Sequence, residues 1–130
     1  MELIIESFGF RNGVPKGASV IFDARIIRNP EAEFSHGMTG LDDEIRVAVL
    51  EHRMAPVLLR YMDDTVDQRL RERKKMFHLG IGCIGGHHRS VAMAEALAQH
   101  YKYAQFDVRV IHRDSDKWGK SGCEFHGSST

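Results

Sequence analysis

An apolar stretch that runs into a glycine-rich turn constrains the fold of this chain more than any other feature. Residues 76–90 read MFHLGIGCIGGHHRS, in which Leu79, Ile81 and Cys83 alternate with small or polar residues, as in a buried β-strand. The residues that follow, from Val91 to Tyr103, are rich in helix-forming side chains. The pattern therefore predicts a strand, a glycine-rich turn and a helix in direct succession.

This succession favours the binding of an anion. Glycines let the backbone approach a ligand closely, and the unpaired N–H groups at the start of a helix attract phosphate. Arg89, at the end of the turn, offers a planar fork of donors that matches two phosphate oxygens. The predicted ligand-binding residues of this segment are Cys83, Ile84, Gly85, Gly86, His87, His88, Arg89 and Ser90.

The same segment is compatible with a cysteine-dependent phosphatase. Cys83, Arg89 and Ser90 form a C-x5-R-S arrangement, which supplies a nucleophilic thiolate, a cation for the phosphoryl oxygens and a hydroxyl that eases thiolate departure. Such an enzyme also needs a general acid, and no carboxylate lies in a recognisable acid-loop motif. The candidates for that acid are Asp43, Asp63 and Asp114. A non-catalytic site with a buried cysteine is favoured, and the phosphatase is the alternative.

Length and charge limit the classes of protein that the chain can represent. With 130 residues, of which 42% are hydrophobic, the chain is predicted to be one domain. Its 18 Lys and Arg balance its 18 Asp and Glu, so a nucleic-acid surface must be local. The two cysteines, Cys83 and Cys123, do not predict a disulfide framework. No signal peptide or membrane span is predicted, which favours a cytoplasmic location.

Periodicity and turn residues predict an α/β domain. Besides the strand before the glycine turn, strands are predicted from Leu3 to Phe10, from Ser19 to Ile27 and from Phe106 to His112. Besides the helix after it, helices are predicted from Asp42 to His52 and from Ala55 to Lys75. Residues 1–113 are therefore expected to form a single domain with a parallel or mixed sheet flanked by helices. Residues 114–130 are polar and are predicted to form a flexible tail.

Four segments, in order, resemble the family of C-terminal domains of the RNase adapter protein RapZ. They read SFGFRNGVPKGASVIFDARIIRNP, MTGLDDEI, IGCIGGHHRSVAMAEALA and VRVIHRD, and the resemblance covers about Glu6 to Asp114. It implies an α/β domain that binds a small RNA and senses glucosamine-6-phosphate, and that normally follows a P-loop nucleotide-binding domain. No GxxxxGK[ST] motif occurs in these residues, so we expect a stand-alone version without that domain's nucleotide chemistry.

The resemblance also places Asp23 and Arg25 in one anion pocket with Gly85 and Arg89. The motifs that contain these residues, FDARIIRNP and GCIGGHHRS, are both predicted to lie at strand ends, where ligands bind in open α/β sheets. A structural ion pair between Asp23 and Arg25 is the alternative interpretation, because residues two apart on a strand share a face.

Three positions depart from the family pattern. Asn12 and Glu31 stand where the family commonly has histidine, and Ile84 stands where it commonly has threonine. These losses concern the sugar more than the phosphate, because the main-chain donors and Arg89 remain. The resemblance therefore implies a phosphorylated ligand whose sugar part is open.

Basic residues predict an RNA surface in addition. The run Arg73, Lys74 and Lys75, together with Arg113, could face an RNA backbone, and a solvated helix end is the alternative. Trp118, the only tryptophan, is expected either to stack on a base or to dock on the core.

No metal site and no cofactor are predicted. His87 and His88 are adjacent, so their side chains point apart, and no carboxylate or cysteine lies nearby at ligand spacing. His112 is expected to be a capping or pocket-rim residue. The predicted partners are a phosphorylated small molecule and RNA, without a membrane, and the sequence leaves the oligomeric state open.

Overall fold

The computed structural model of this protein describes residues 1–30, 37–102 and 106–118. Its strands are β1 (Glu2–Gly9), β2 (Val20–Asp23), β3 (Met76–Cys83) and β4 (Asp107–His112). Its helices are α1 (Asp43–Leu50), α2 (Ala55–Arg71) and α3 (Arg89–His100). The predicted α/β fold is confirmed, with every predicted strand and helix present.

The four strands form one parallel sheet in the order β2-β3-β1-β4. Gly9 at the end of β1 lies opposite Cys83 at the end of β3, and Ser7 lies opposite His112. Because all strands run in the same direction, their carboxyl ends meet along one side of the sheet. We call this side, formed by the ends of the four strands and the residues directly after them, the loop edge.

One face of the sheet builds the hydrophobic core. Leu3 and Ile5 of β1 and Leu79 of β3 are fully buried, and they belong to one cluster with Met62 of α2 and Met93 of α3. Helix α3 lies against β1, β3 and β4, while α1 and α2 pack on α3. The burial of α3 holds its first turn at the loop edge.

Strand β2 is shorter than the sequence predicts. It ends at Asp23 rather than Ile27, because the Asp23 carboxylate accepts the backbone N–H of Arg25 at 2.9 Å and starts a one-turn 3-10 helix, Ala24–Ile26. Short polar side chains favour such local bonds over the ladder of a sheet. The side chains of Asp23 and Arg25 therefore do not belong to one extended strand.

Helix α2 also ends before its predicted limit. The N–H of Arg73 donates to the Leu70 carbonyl at 2.9 Å, the N–H of Lys74 donates to the Arg69 carbonyl at 3.1 Å, and Arg73 has a φ of 61°. This pair of bonds around a left-handed residue is a Schellman motif, which terminates a helix. Lys74 and Lys75 consequently lie in the link to β3.

The first residues of the predicted tail pack on the domain. Asp114 is 3% exposed, and Ser115–Lys117 form one turn of 3-10 helix. The Trp118 indole N–H donates to the Gly86 carbonyl at 3.0 Å. The prediction of a flexible tail therefore does not hold for residues 114–118, while residues 119–130, with Cys123, lie outside the described residues. No helix in the described ranges is long and apolar enough to cross a membrane.

Candidate functional site

The turn between β3 and α3 is pressed against the end of β1. A Cβ atom on Gly9 would lie 2.4 Å from the Gly85 carbonyl carbon. Gly86 has a φ of +79°, and a Cβ there would lie 2.6 Å from the Gly9 nitrogen. Only glycine allows this approach of two backbones. The glycines predicted for ligand binding thus have a packing role, and Gly9 is a required residue that the sequence analysis did not single out.

Neighbouring segments hold the turn in one conformation. Three carbonyl oxygens of the turn accept hydrogen bonds from other segments. The Arg11 N–H donates to the Ile84 carbonyl at 3.2 Å, and the Gly40 N–H donates to the His87 carbonyl at 2.8 Å. The third is the bond from Trp118 to Gly86. The turn is therefore a preformed element rather than one that a ligand must order.

Arg89 is the first residue of α3, and only 4% of it is exposed. Its Nη1 donates to the Ile27 carbonyl at 3.0 Å, whereas its Nε has no hydrogen-bond partner among the described residues. Burial lowers the pKa of Arg89, and the neighbouring Cys83 and Asp23 oppose that change. One donor of the predicted fork is thus used within the protein, and another is buried and unsatisfied.

Cys83 and Ser90 lie side by side, as the C-x5-R-S spacing requires. The Cys83 thiol is 3.2 Å from the Ser90 hydroxyl oxygen, with 2% of Cys83 and none of Ser90 exposed. A nucleophilic thiolate has to reach its substrate, and reactive cysteines are usually partly exposed. The burial of both groups favours the structural interpretation of Cys83.

Asp23 and Arg25 form the ion pair that the sequence analysis gave as an alternative. The Asp23 carboxylate accepts from Arg25 Nε at 2.9 Å and from Nη2 at 2.8 Å, and each side chain is 46% exposed. The Arg25 guanidinium also lies 4.1 Å from the centre of the Phe10 ring. Hydrogen bonding to Arg25 is the main cause that lowers the pKa of Asp23, and the positive charge of Arg89 adds to it. The pair borders the Cys83 and Arg89 cluster at the loop edge.

His87 and His88 are buried beside the start of α3. Their ring centres are 6.1 Å apart, and His88 Nε2 lies 2.8 Å from the Met38 carbonyl oxygen. In the part of the chain that the structure describes, no three His, Cys, Asp or Glu residues are grouped as a metal site would require. The His88 side chain and the His87 carbonyl, which accepts from the Gly40 N–H, join the segment around Met38 to the glycine turn.

Asp114 is a structural centre that the sequence analysis considered only as a general acid. Its carboxylate accepts from the Gly9 N–H at 2.7 Å, from Asn12 Nδ2 at 3.2 Å, and from Arg113 Nε and Nη2 at 3.0 Å each. Burial by itself would raise the pKa of Asp114, but these hydrogen bonds outweigh it and the pKa is lowered. The ionised carboxylate joins the ends of β1 and β4. The one signal in the sequence was the HRD triplet, residues 112–114, at the end of the last strand.

Replacing Asp114 by asparagine is expected to lower the free energy of unfolding at neutral pH by about 2 kcal/mol, because charge-assisted hydrogen bonds to a buried group are lost. Folding lowers the pKa of Asp114. The ionised carboxylate therefore adds to the free energy of unfolding above about pH 3.9, and this stabilisation is lost as the pH falls further. In urea unfolding from pH 7 to pH 2, the free energy of unfolding should therefore fall more steeply with acid in the wild type than in Asp114→Asn. Equal acid slopes in the two proteins would contradict the assignment.

His112 links its own strand, β4, to β1 and to α3. Its Nδ1 lies 2.6 Å from the Ser7 hydroxyl, and its Nε2 lies 2.6 Å from a Glu95 carboxylate oxygen of α3. The Trp118 ring packs on His112 with the ring centres 5.6 Å apart. Of the two expectations for Trp118, docking on the domain is the arrangement found.

The four predicted RNA-binding residues do not form one surface. Arg73, Lys74 and Lys75 are exposed and lie directly before β3, whose eight residues span about 23 Å. Arg113 lies at the other end of the sheet, where its guanidinium bonds Asp114 and the Asn12 carbonyl. Any RNA surface around the lysines is therefore separate from the glycine turn.

Comparison with known proteins agrees with this architecture. The family model described as the RapZ C-terminal domain matches residues 1–116. Relatives each called nucleotide-binding protein include one from Brevibacillus brevis, 40% identical over 122 residues, and one from Citrifermentans bemidjiense, 35% identical over 122 residues. A third, from Mycobacterium avium, is 41% identical over 124 residues.

These alignments cover 88% to 90% of this chain but only 41% or 42% of each relative. The chain therefore spans about two-fifths of the length of these relatives. The matched part includes all four strands, all three helices and the glycine turn. The chain belongs to the family of RapZ C-terminal domains.

Proposed function

We propose that this chain is a non-catalytic binding module that takes a phosphorylated small molecule at the loop edge. The observation that carries the proposal is the buried Arg89 guanidinium, whose Nε has no partner among the described residues. Arg89 opens the twelve-residue helix α3, and an anion is favoured at such a helix start. A phosphate oxygen would satisfy the donor that the protein leaves unpaired.

Two further cations flank the turn. A Cβ on Gly85 would lie 2.7 Å from Arg11 Nη2, which places the exposed Arg11 side chain next to the turn. Arg25, also exposed, stacks on the ring of Phe10, the residue directly before Arg11. Their positive charges favour an anionic ligand over a neutral one.

The phosphate is the part of the ligand for which this chain has groups. The relatives are called nucleotide-binding proteins, but the chain covers only about 42% of the first of them and contains no GxxxxGK[ST] motif. The resemblance makes glucosamine-6-phosphate the first compound to test. Asn12 is engaged by Asp114, and Ile84 has no hydroxyl, so the sugar contacts would differ from the family pattern.

The proposal is tested by titrating the protein with inorganic phosphate, glucosamine-6-phosphate and glucosamine. Both phosphate compounds are expected to bind and to raise the unfolding temperature, whereas glucosamine, the matched compound without phosphate, should have no effect. At a ligand concentration of about 100 times Kd, the stabilisation should be about 2.7 kcal/mol. Absence of binding for every phosphate compound in calorimetry would refute the proposal.

A Cys83→Ser variant separates binding from phosphatase chemistry. We expect the affinity for phosphate to stay within about threefold, because the change is small in volume and leaves the turn's N–H groups in place. We also expect no turnover of an aryl phosphate above background by the wild type. A burst of product that disappears in Cys83→Ser would instead identify Cys83 as a nucleophile.

RNA binding is a second candidate function, at a separate surface. Nearby Arg69 and Arg71 are paired with Glu72 and Asp67 at 3.5 Å and 3.0 Å. Three exposed cations come directly after Glu72, namely Arg73, Lys74 and Lys75. None of them has an acidic partner in the described ranges. A surface of unpaired cations is what contact with a phosphate backbone needs.

Replacing Arg73, Lys74 and Lys75 together by alanine should reduce RNA affinity and its salt dependence. Each lost phosphate contact should lower the slope of log affinity against log salt by roughly 0.7 to 0.9. The control variant removes the same charge elsewhere, at Arg46, Arg53 and Arg60. An equal loss in both variants, or no gel shift of structured RNA by the wild type at low salt, would exclude this surface.

A further inference from the structure

Trp118 contacts the glycine turn at its most flexible point. Its indole N–H donates to the Gly86 carbonyl at 3.0 Å. Gly86 follows another glycine, Gly85, and has a φ of +79°. Because glycine has more conformational freedom than any other residue, the peptide after Gly86 is the one in the turn that would rotate most easily. The hydrogen bond from Trp118 restrains this peptide.

The indole ring is held in place by the end of β4. The ring centres of Trp118 and His112 lie 5.6 Å apart. The His112 ring is itself fixed, because Nδ1 lies 2.6 Å from the Ser7 hydroxyl and Nε2 lies 2.6 Å from a Glu95 carboxylate oxygen. These two contacts tie the ring to β1 and to α3. Trp118 therefore packs on a rigid surface, which keeps its indole N–H directed at the Gly86 carbonyl.

The backbone that carries Trp118 is folded against the same turn. The N–H of Trp118 donates to the Ser115 carbonyl at 3.1 Å. The carboxylate of Asp114, which accepts the Gly9 N–H at 2.7 Å, would lie 3.1 Å from a Cβ on Gly86. The residues after β4 thus contact Gly86 at two points, with a carboxylate beside its Cα and an indole N–H on its carbonyl.

The orientation of the Gly86 peptide affects the start of α3. In a planar trans peptide such as this one, a fixed carbonyl also fixes the N–H of the next residue, His87, on the opposite side. Two residues further on is Arg89, the first residue of α3, whose Nε has no partner among the described residues. Rotation of the Gly86 peptide would therefore change the backbone that leads directly into the proposed phosphate site.

We propose that Trp118 is a positioning residue of the phosphate site, a role that rests on the function proposed above. Trp118 acts through the Gly86 carbonyl rather than through contact with the ligand, and it keeps the turn in the conformation that receives phosphate. A site that is already ordered binds more tightly than one that its ligand has to order, because ordering lowers the affinity. The last described residue of the chain thus sets the affinity of a site built by β3 and α3.

Trp118→Phe tests this role, because phenylalanine keeps a ring against His112 but lacks the indole N–H. The affinity for inorganic phosphate, measured by calorimetry, is expected to fall about fivefold or more. The matched control is Tyr101→Phe, which also keeps its ring and loses one donor, the hydroxyl that bonds Asp63 beyond the far end of α3. This control should lower the unfolding temperature and leave the affinity for phosphate unchanged.

A second measurement uses the wild type alone, because Trp118 is the only tryptophan. Its single indole N–H resonance in an NMR spectrum is expected to move as inorganic phosphate is added, over the concentration range in which calorimetry shows binding. This titration decides the question if Trp118→Phe does not fold. A resonance that stays in place while phosphate binds would overturn the positioning role.

The calorimetry separates this role from the proposed function. If the wild type and Trp118→Phe bind phosphate equally well, the positioning role is wrong and the phosphate site stands. Equal losses of affinity in Trp118→Phe and Tyr101→Phe would also overturn the role, because the loss would then follow from lower stability in general. A wild type that binds no phosphate would overturn both the role and the proposed function.

Discussion

Replacing Gly86 by alanine is expected to lower the free energy of unfolding by about 3 kcal/mol or more. The φ of +79° is unfavourable for alanine, and its Cβ would lie 2.6 Å from the Gly9 nitrogen and 3.1 Å from an Asp114 carboxylate oxygen. All of these atoms are fixed by the sheet and by the hydrogen bond from Gly9 to Asp114. The clash therefore cannot be relieved by turning a flexible side chain.

Gly13 provides the matched control for this prediction. Its φ is +88°, close to that of Gly86, but a Cβ there would meet no atom within 4 Å. The ψ of Gly13 is 158°, a backbone conformation almost restricted to glycine, so Gly13→Ala should cost about 2 kcal/mol through the backbone conformation alone. The difference between the two variants in urea unfolding measures the contact between the turn and β1. Equal losses would mean that this contact is not rigid.

Replacing Arg89 by alanine is expected to weaken phosphate binding by about 2 kcal/mol or more, because the charge-assisted contact to the anion is lost. The variant should also be less stable, since the Ile27 carbonyl loses its donor. Calorimetry of the folded variant, checked by circular dichroism, separates the two effects.

Arg89→Lys and Arg25→Ala complete this test. Lysine keeps the charge but lacks the planar fork, so Arg89→Lys should lie between the wild type and alanine in affinity. Arg25 is half exposed and already paired with Asp23, so its loss should matter less than that of Arg89. An Arg89→Ala variant that is folded and binds phosphate as tightly as the wild type would remove the main support for the proposed site.

Local sequence patterns determined the elements around the site. The alternation in residues 76–83 and the glycines after it predict a strand and a turn from neighbours in the chain alone. For the same reason the sequence could bring Cys83, Arg89 and Ser90 together, because the turn and the first residues of one helix hold them. Local signals were less reliable at element ends, as at Asp23, where a side chain competes with the sheet.

Only the tertiary structure decided which residues contact one another at the loop edge. Gly9 and Asp114 are bonded although 105 residues separate them, and Gly9 meets Gly86 because β1 and β3 are neighbours in the sheet. Strand order also brings Arg113 to the Asn12 carbonyl, 101 positions away in the chain, and places Arg73 at the opposite end of the sheet. Such contacts depend on which strands lie side by side and in which direction. Periodicity and turn residues describe the conformation of a segment but not its neighbours, so they contain no information about this choice.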